Sequence, residues 1–392
     1  MDRTIGIALM KKALEIVDKQ WPDMADAYMK IPTDYYTDKR SHTEERKLFE
    51  TQPLALLASS EIPNANDYYT RQAVGRSVVI CRDEDGVARA FLNYCRHRGA
   101  EPAAGCGNSK YFTCPYHAWS YDTKGQLVTM PLRNRYADLE LSELSLVELP
   151  CEERHGLVWV VMTAGAAIDV AAHLGELDHE IGSLGIEKMR YYSSLPEAHM
   201  NTNWKAVSEG VVEGLHVPYV HASTFNLNPQ AFSVDLSFYE AIGPHLRYGL
   251  PIFDQEGAKK IKDTPESEWN PAQSIGCIWW ISPGLLIAQE LYGLIYADLS
   301  QGTSVNESVF RYGWMSPVAT PPEGQPSPED MAARATRAIA EDIPVWEGCT
   351  RGLNFGQHGY ALIGRNEKGV QLMHESIARQ TGYDGLSYQS DR

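Results

Sequence analysis

The chain has 392 residues, 43% of them hydrophobic and 22% charged, with a formal net charge of −16 at pH 7. That length accommodates two or three domains with a sizeable core, and the balance is that of a globular protein. The negative charge argues against nucleic-acid binding, which uses a basic stripe. No apolar run of about 18 residues is present, so no transmembrane helix is expected.

Residues 1–48 read as mostly helical. Ile5, Ala8, Leu9, Ala13 and Ile16 recur near helical period, and Trp21-Pro22 ends the run. The first residues lack the apolar core of a signal peptide, and cytoplasmic localisation is expected. Seven scattered Cys, an odd number, agree with a reducing compartment rather than a disulfide framework. Ile31-Pro32-Thr33 suggests an irregular crossing. His42-Thr43-Glu44-Glu45-Arg46 opens a short helix toward Phe49.

From about residue 66 short strands and turns take over. Ser77–Cys81 and Val87–Leu92 flank Asp83-Glu84-Asp85-Gly86, which reads as a β-hairpin. Gly156–Met162 is a buried-strand candidate. Residues 50–164 therefore read as a small all-β module. Beyond it, 171–186 is helical in pattern, and 195–200, 276–281 and 308–314 read as strands. Residues 250–275, rich in Lys, Glu, Asp and Pro, read as a long surface loop or lid. Ser327-Pro328-Glu329-Asp330 is a helix start with a Ser cap, Pro in the first turn and an acid three residues on. That helix runs toward Trp346.

Two segments carry chemistry. The first holds Cys95-Arg96-His97 and, after sixteen residues, Cys114-Pro115-Tyr116-His117. Two thiolates and two imidazoles suit a tetrahedral zinc or an iron–sulfur cluster. A zinc finger opens with a Cys pair and closes with a His pair, whereas here each half carries one of each. In a Rieske [2Fe-2S] centre two Cys hold one iron and two His the other, and the alternating order lets each loop serve both irons. Gly99, Gly105, Pro102 and Pro115 permit tight loops there.

The second segment runs from Asn203-Trp204-Lys205 to Glu213-Gly214-Leu215-His216-Val217-Pro218-Tyr219-Val220-His221. Two His five apart stand about 140° round an ideal helix, so a straight helix would not bring them together. Pro218 would bend or end the helix and let His221 swing back toward His216. Two imidazoles and one carboxylate make the facial triad of non-haem Fe(II) oxygenases, although a zinc hydrolase uses the same set. A redox-active cluster upstream favours iron.

Together the two motifs resemble those of the Rieske non-haem iron, aromatic-ring-hydroxylating oxygenases, over about 56–353 and at the level of the catalytic α subunit. Ala118 stands where many members have Gly. The resemblance implies an α+β chain: an N-terminal Rieske all-β domain (50–164) and a catalytic domain (165–392) with an antiparallel β-sheet flanked by helices. Residues 1–49 would form a helical segment packing on the catalytic domain. It implies Cys95, His97, Cys114 and His117 as cluster ligands and His216, His221 and an acid of the C-terminal helix as iron ligands. Asp342 is the choice for that acid, with Glu341 its rival.

The resemblance also implies that Glu213 links His117 of one subunit to His216 of the next. A closed ring follows, a homotrimer, and some members add a β subunit. Electrons would come from NAD(P)H through a reductase or ferredoxin, and O2 would be activated to hydroxylate an aromatic or other hydrophobic ring substrate. Oxidative demethylation or quaternary-amine oxidation is the alternative, with Trp279, Trp280 and Tyr312 as a cation cage. Val207, Val212, Val217, Phe225, Leu227 and Trp280 are candidate pocket residues. A Rieske electron carrier without catalysis would need only 50–164 and leave 228 further residues unexplained.

Overall fold

Arg76–Arg82 and Ala88–Leu92 pair antiparallel across the turn read as a hairpin above. Asp83 closes that turn: its carboxylate accepts the backbone N–H groups of Asp85 and Val87, both at 2.9 Å. The hairpin lies in an antiparallel sheet ordered Glu148–Leu149, Ala88–Leu92, Arg76–Arg82, Asp67–Ala73, Cys106–Asn108. Two three-stranded sheets accompany it. One places Leu157–Val160 between Cys151–Arg154 and Leu54–Ala58; the other runs Tyr111–Thr113, Ser120–Asp122, Leu127–Thr129. The computed structural model describes residues 1–136, 139–194, 197–225, 236–356 and 359–389 and divides into two units. These sheets belong to the unit of Phe49–His173 with Ile186–Tyr191.

The other unit comprises Met1–Leu48, Leu174–Gly185 and Tyr192–Arg392. Its antiparallel sheet is a meander, Phe238–Ile242, His245–Pro251, Ile275–Ile281, Leu285–Glu290, Gly293–Gln301 and Ser308–Ser316, each strand beside the next. Four of its five connections are short and favour that order, since a parallel pair would need a crossover; the fifth, 252–274, is long. Ala198–Met200 pairs with Ser308–Ser316, every residue of which is buried.

The helix Pro328–Phe355 packs on that last strand. It starts at the expected Ser327 cap with a reciprocal Ser327–Asp330 box, but continues past Trp346 to a left-handed Gly356. Pro344 sits inside it, which leaves the Ala340 carbonyl without its usual helical donor. The helix Trp204–Val211, capped by Asn203, crosses close to it: a Cβ on Gly210 would lie 2.4 Å from Trp346 Nε1. Glycine there lets the backbone leading to the His segment approach the helix that carries Asp342.

Several expectations need correction. Residues 250–275 are not a free loop. They form the helix Gln255–Lys262, a turn at Glu266–Glu268 and the helix Pro271–Ser274. Ala258, Phe253, Ile261 and Trp269 pack on Leu14 and Val17 of the first helix, Arg3–Lys19. The Arg3 guanidinium donates to the carbonyls of Glu266, Ser267 and Trp269. The crossing at Ile31-Pro32 is a strand, Tyr28–Pro32, between Tyr360–Ile363 and Ser387–Gln389. The helix expected over 171–186 is two, Val170–Leu174 and Leu177–Gly182, split at Gly175 with φ +54°. Of the strand read over 195–200, residues 195 and 196 lie outside the described residues. Among the described residues no helix is long and apolar enough to cross a membrane.

Candidate metal centres

The first Cys/His pair follows the strand Ala88–Leu92 and the second precedes Ser120–Asp122. The two loops close alike. Gly99 N–H donates to the Cys95 carbonyl and Ala118 N–H to the Cys114 carbonyl. Cys95 N–H and Cys114 N–H in turn donate to the carbonyls of Ala100 and Trp119, both at 2.8 Å. Gly99 and Ala118 take left-handed φ values of +79° and +57°. Glycine adopts that region freely and alanine does not, so the Ala118 backbone is strained.

Cys95 and Cys114 are buried in one apolar cluster with Phe112, Trp119 and Tyr121. The imidazoles of His97 and His117 lie 4.6 Å apart, and His97 stacks on Trp119 at 4.8 Å. His97 Nδ1 is buried without a partner, while His117 is exposed. Among the described residues these four do not form a group within reach of one ion, as a tetrahedral zinc requires. Two buried sulfurs, two adjacent imidazoles and an orphaned Nδ1 fit a two-iron cluster.

Tyr121 also acts on this site, and no feature of the chain read above pointed to it. Its hydroxyl accepts Arg96 N–H at 3.0 Å and lies 3.2 Å from Cys95 Sγ. With the oxygen already accepting, its own proton is free for the sulfur. Burial raises the phenol pKa, which keeps it a donor. A hydrogen bond to a cluster sulfur favours the reduced, more negative state. Tyr121→Phe is expected to lower the cluster potential by roughly 60 mV, the equivalent of one bond worth about 1.4 kcal/mol. Protein-film voltammetry reads the shift, and an unchanged potential would show that the contact carries no weight.

The second group departs from the bent helix expected. The helix Trp204–Val211 ends before Glu213, and residues 213–216 are irregular. Pro218 does not end a helix; it lies in the first turn of a new one, Val217–Val220. His216 precedes that helix and His221 follows it. Donor atoms of His216, His221 and Asp342 all lie within 4.8 Å of one another. Asp342 Oδ1 is 3.1 Å from His221 Nε2 and 3.7 Å from His216 Nε2, and Asp342 is 5% exposed.

Each imidazole is held from behind by a carboxylate. His216 Nδ1 donates to Glu213 Oε1, and Glu213 Oε2 accepts the backbone N–H groups of Leu215 and His216. His221 Nδ1 donates at 2.9 Å to Glu341 Oε2, while Glu341 Oε1 accepts the hydroxyls of Ser223 and Thr224. With each Nδ1 so engaged, both Nε2 atoms face Asp342 Oδ1 and are the atoms available as metal ligands. Burial opposes charge on His221, but the Asp342 and Glu341 carboxylates outweigh it and hold its pKa above the ordinary value. The bond to His221 holds the Glu341 carboxyl below the usual range. Glu341, the rival ligand by sequence, thus faces the back of His221, and Asp342 faces the Nε2 atoms. Two imidazole nitrogens and one carboxylate oxygen fit a mononuclear iron with open positions.

In Glu341→Leu the His221 Nδ1–H and the Ser223 and Thr224 hydroxyls all lose their acceptor. Iron affinity at the triad is expected to fall about 10–100-fold by chelator competition, with the visible absorption of the cluster unchanged. Unchanged affinity would exclude this support role.

A cavity of about 180 Å³ opens on the triad. One face of the Asp342 helix lines it with Met331, Ala335, Ala338 and Ile339, and the sheet adds Ile278, Leu286, Ala288, Ile295, Ala297 and Phe310. Val217, Phe225 and Tyr312 of the expected set line it. Val207, Val212 and Trp280 are buried but do not. Leu227 lies outside the described residues. The expected Trp cage is absent from this cavity: Trp279 is buried with its indole N–H on Glu180. Alternation in Leu286-Ala288-Glu290 and Phe310-Tyr312 carried the missed signal, but both faces of these strands are largely apolar.

Residues 52–147 match the model of the Rieske [2Fe-2S] domain, and residues 187–382 that of the ring hydroxylating alpha subunit catalytic domain. The carnitine monooxygenase oxygenase subunit of Escherichia coli (strain K12) is 31% identical over 204 residues, 49% of this chain and 52% of the relative. The large oxygenase component of the naphthalene 1,2-dioxygenase system of a Ralstonia species is 32% identical over 208 residues, covering 50% and 45%. The chain thus spans about half the length of the curated relatives it matches. A solved quaternary ammonium Rieske monooxygenase in complex with L-carnitine superposes with a TM-score of 0.74 over 92% of this chain and 97% of that one. At 21% identity, that likeness is one of fold.

Proposed function

The chain belongs to the family of Rieske-type ring-hydroxylating oxygenase alpha subunits, and on that premise we propose that it is the terminal oxygenase component of a multi-protein system. Cys95 and Cys114 would hold one iron of the [2Fe-2S] cluster, and His97 and His117 the other. His216, His221 and Asp342 would hold a mononuclear Fe(II), which when bound supplies the reduction and activation of O2. The observation that carries this reading is the convergence of both Nε2 atoms on Asp342 Oδ1 at the mouth of an apolar cavity.

The protein's own groups set up that chemistry. Glu213 and Glu341 fix the imidazole tautomers, so the ligand atoms need no rearrangement. The cavity walls exclude water and hold the substrate beside the triad. Glu213 Oε1 keeps a second lone pair after accepting from His216 and can take a donor from the exposed His117 of another copy. That contact makes a closed ring, a homotrimer, the working assembly. A ferredoxin or NAD(P)H-dependent reductase would supply the electrons. All seven Cys are unpaired, which suits the cytosol.

For substrate we favour the quaternary-amine reading over the aromatic ring. The similarity to carnitine monooxygenases supports it, as do the aromatic side chains of Phe225, Phe310 and Tyr312 in a cavity that also holds a carboxylate, Glu290. The cavity is only a little larger than the ~150 Å³ that accommodates benzene, so the ligand is one ring or a chain of similar bulk. Iron analysis of the loaded protein should give about three irons per chain, two for the cluster and one for the triad. Mass spectrometry after turnover in heavy-isotope dioxygen, over a panel of betaines, methoxyarenes and aromatic acids, identifies the product. Two irons per chain and no oxygen incorporation would reduce the protein to an electron carrier.

A further inference from the structure

The cavity has one charged pair that the iron chemistry does not use. Arg334 is ion-paired with Glu290, and both line the pocket. The Arg334 guanidinium also lies over the Phe225 ring, 5.4 Å from its centroid. Arg334 and Asp342 share one helix, eight residues and so about 12 Å apart along its axis. Their intermediate neighbours on the same face, Ala335, Ala338 and Ile339, are apolar.

An ion pair in such a place stabilises the fold little, because the desolvation of both groups offsets their attraction. Its effect on a ligand is larger. A cation that engages Glu290 leaves Arg334 without its partner, and an anion that engages Arg334 strands Glu290. Both side chains are part-exposed, so a charge left alone there is penalised less than in a dry core, but the loss still counts against the ligand that causes it. A ligand carrying both charges satisfies both groups. Burial keeps the Glu290 carboxyl above the usual carboxylate range even beside Arg334, so one cation leaves that site under-compensated.

We propose that Glu290 and Arg334 read the charge pattern of the substrate, and that the substrate is a small zwitterion. Its carboxylate pairs with the Arg334 fork, and its ammonium lies against Glu290 and the neighbouring aromatic wall. This rests on the quaternary-amine reading above and narrows it to betaine-like molecules.

The test uses four probes of one shape: trimethylammonium butyrate, its methyl ester, the carboxylate in which carbon replaces nitrogen, and the methyl ester of that isostere. They present both charges, the cation alone, the anion alone and neither. Anaerobic calorimetry on the metal-loaded enzyme measures binding, and oxygen uptake with product analysis measures turnover. The wild-type protein should bind the zwitterion at least tenfold more tightly than the other three. Glu290→Gln should move the preference to the anion, Arg334→Gln to the cation, and Glu290→Leu with Arg334→Leu to the neutral ester. The double variant retains cavity volume and removes both charges, so it reports even if the single variants fold poorly.

Equal loss of all four probes in the single variants, or no zwitterion preference in the wild type, overturns the proposal. Oxygen incorporation into any other amine in that case would leave the quaternary-amine reading standing. Tight zwitterion binding without turnover would remove the reading of function and keep the charge reader.

Discussion

Glu213→Gln is expected to leave both metal centres loaded and to lower turnover by at least about 100-fold. The Glu213 carboxylate is the acceptor for three donors: His216 Nδ1 and the backbone N–H groups of Leu215 and His216. An amide has only one accepting oxygen, and its NH2 must then face either an imidazole N–H or two backbone N–H groups. The second lone pair proposed to receive His117 of a neighbouring copy is also lost. A local defect and a broken link between centres differ in one readout. After chemical reduction and addition of substrate and O2, a merely loosened triad still drains the cluster, at a rate that follows iron occupancy. A broken link leaves the cluster reduced while the triad iron is present. Full activity, or turnover by isolated monomers, would remove Glu213 from the electron path.

The second large effect is on stability. Lys205→Met is expected to destabilise the larger unit by about 3–5 kcal/mol, because it leaves a buried carboxylate without its cation. Lys205 and Glu45 are each 1% exposed and paired, and the Trp204 indole N–H donates to the other Glu45 oxygen at 2.7 Å. The ammonium also lies over the Tyr35 ring, 4.5 Å from its centroid. Burial lowers the Lys205 pKa, so the pair has a desolvation cost to offset. Replacing both, Lys205→Met with Glu45→Leu, should recover most of the loss, since a packed apolar pair is close to neutral against a buried ion pair. Denaturant unfolding of the four members of this cycle gives the coupling. Near-additive losses would mean that the two charges are not each other's main partner.

This ion pair also bears on function. Lys205 lies on the helix whose end leads to Glu213 and His216, so the pair anchors that helix to the segment Lys39–Thr51. The sequence motif that begins Asn203-Trp204-Lys205 therefore combines two jobs. Its first residues cap and bury the helix, and its last residues face the iron position.

What is local in the chain was legible from its residues alone. Donor type and spacing identified the Cys/His loops and the His pair, because each set falls within one short segment. The Ser327 cap and the Asp83 hairpin turn were legible because a cap or turn is satisfied by neighbours within four residues. Tertiary structure decided whatever depends on partners remote in sequence. The strand Tyr28–Pro32 has its partners more than 300 residues away, and the apolar side chains of 253–269 show their purpose only against Leu14 and Val17. Asp342 and Glu341 are adjacent acids with the same chemistry, and no rule of spacing separates them. The helix turns by about 100° per residue, so one points at the imidazole Nε2 atoms and the other at the back of His221. The helix carrying both acids comes close to the helix that leads to the His pair where Gly210 admits Trp346, a contact that neither segment reveals alone.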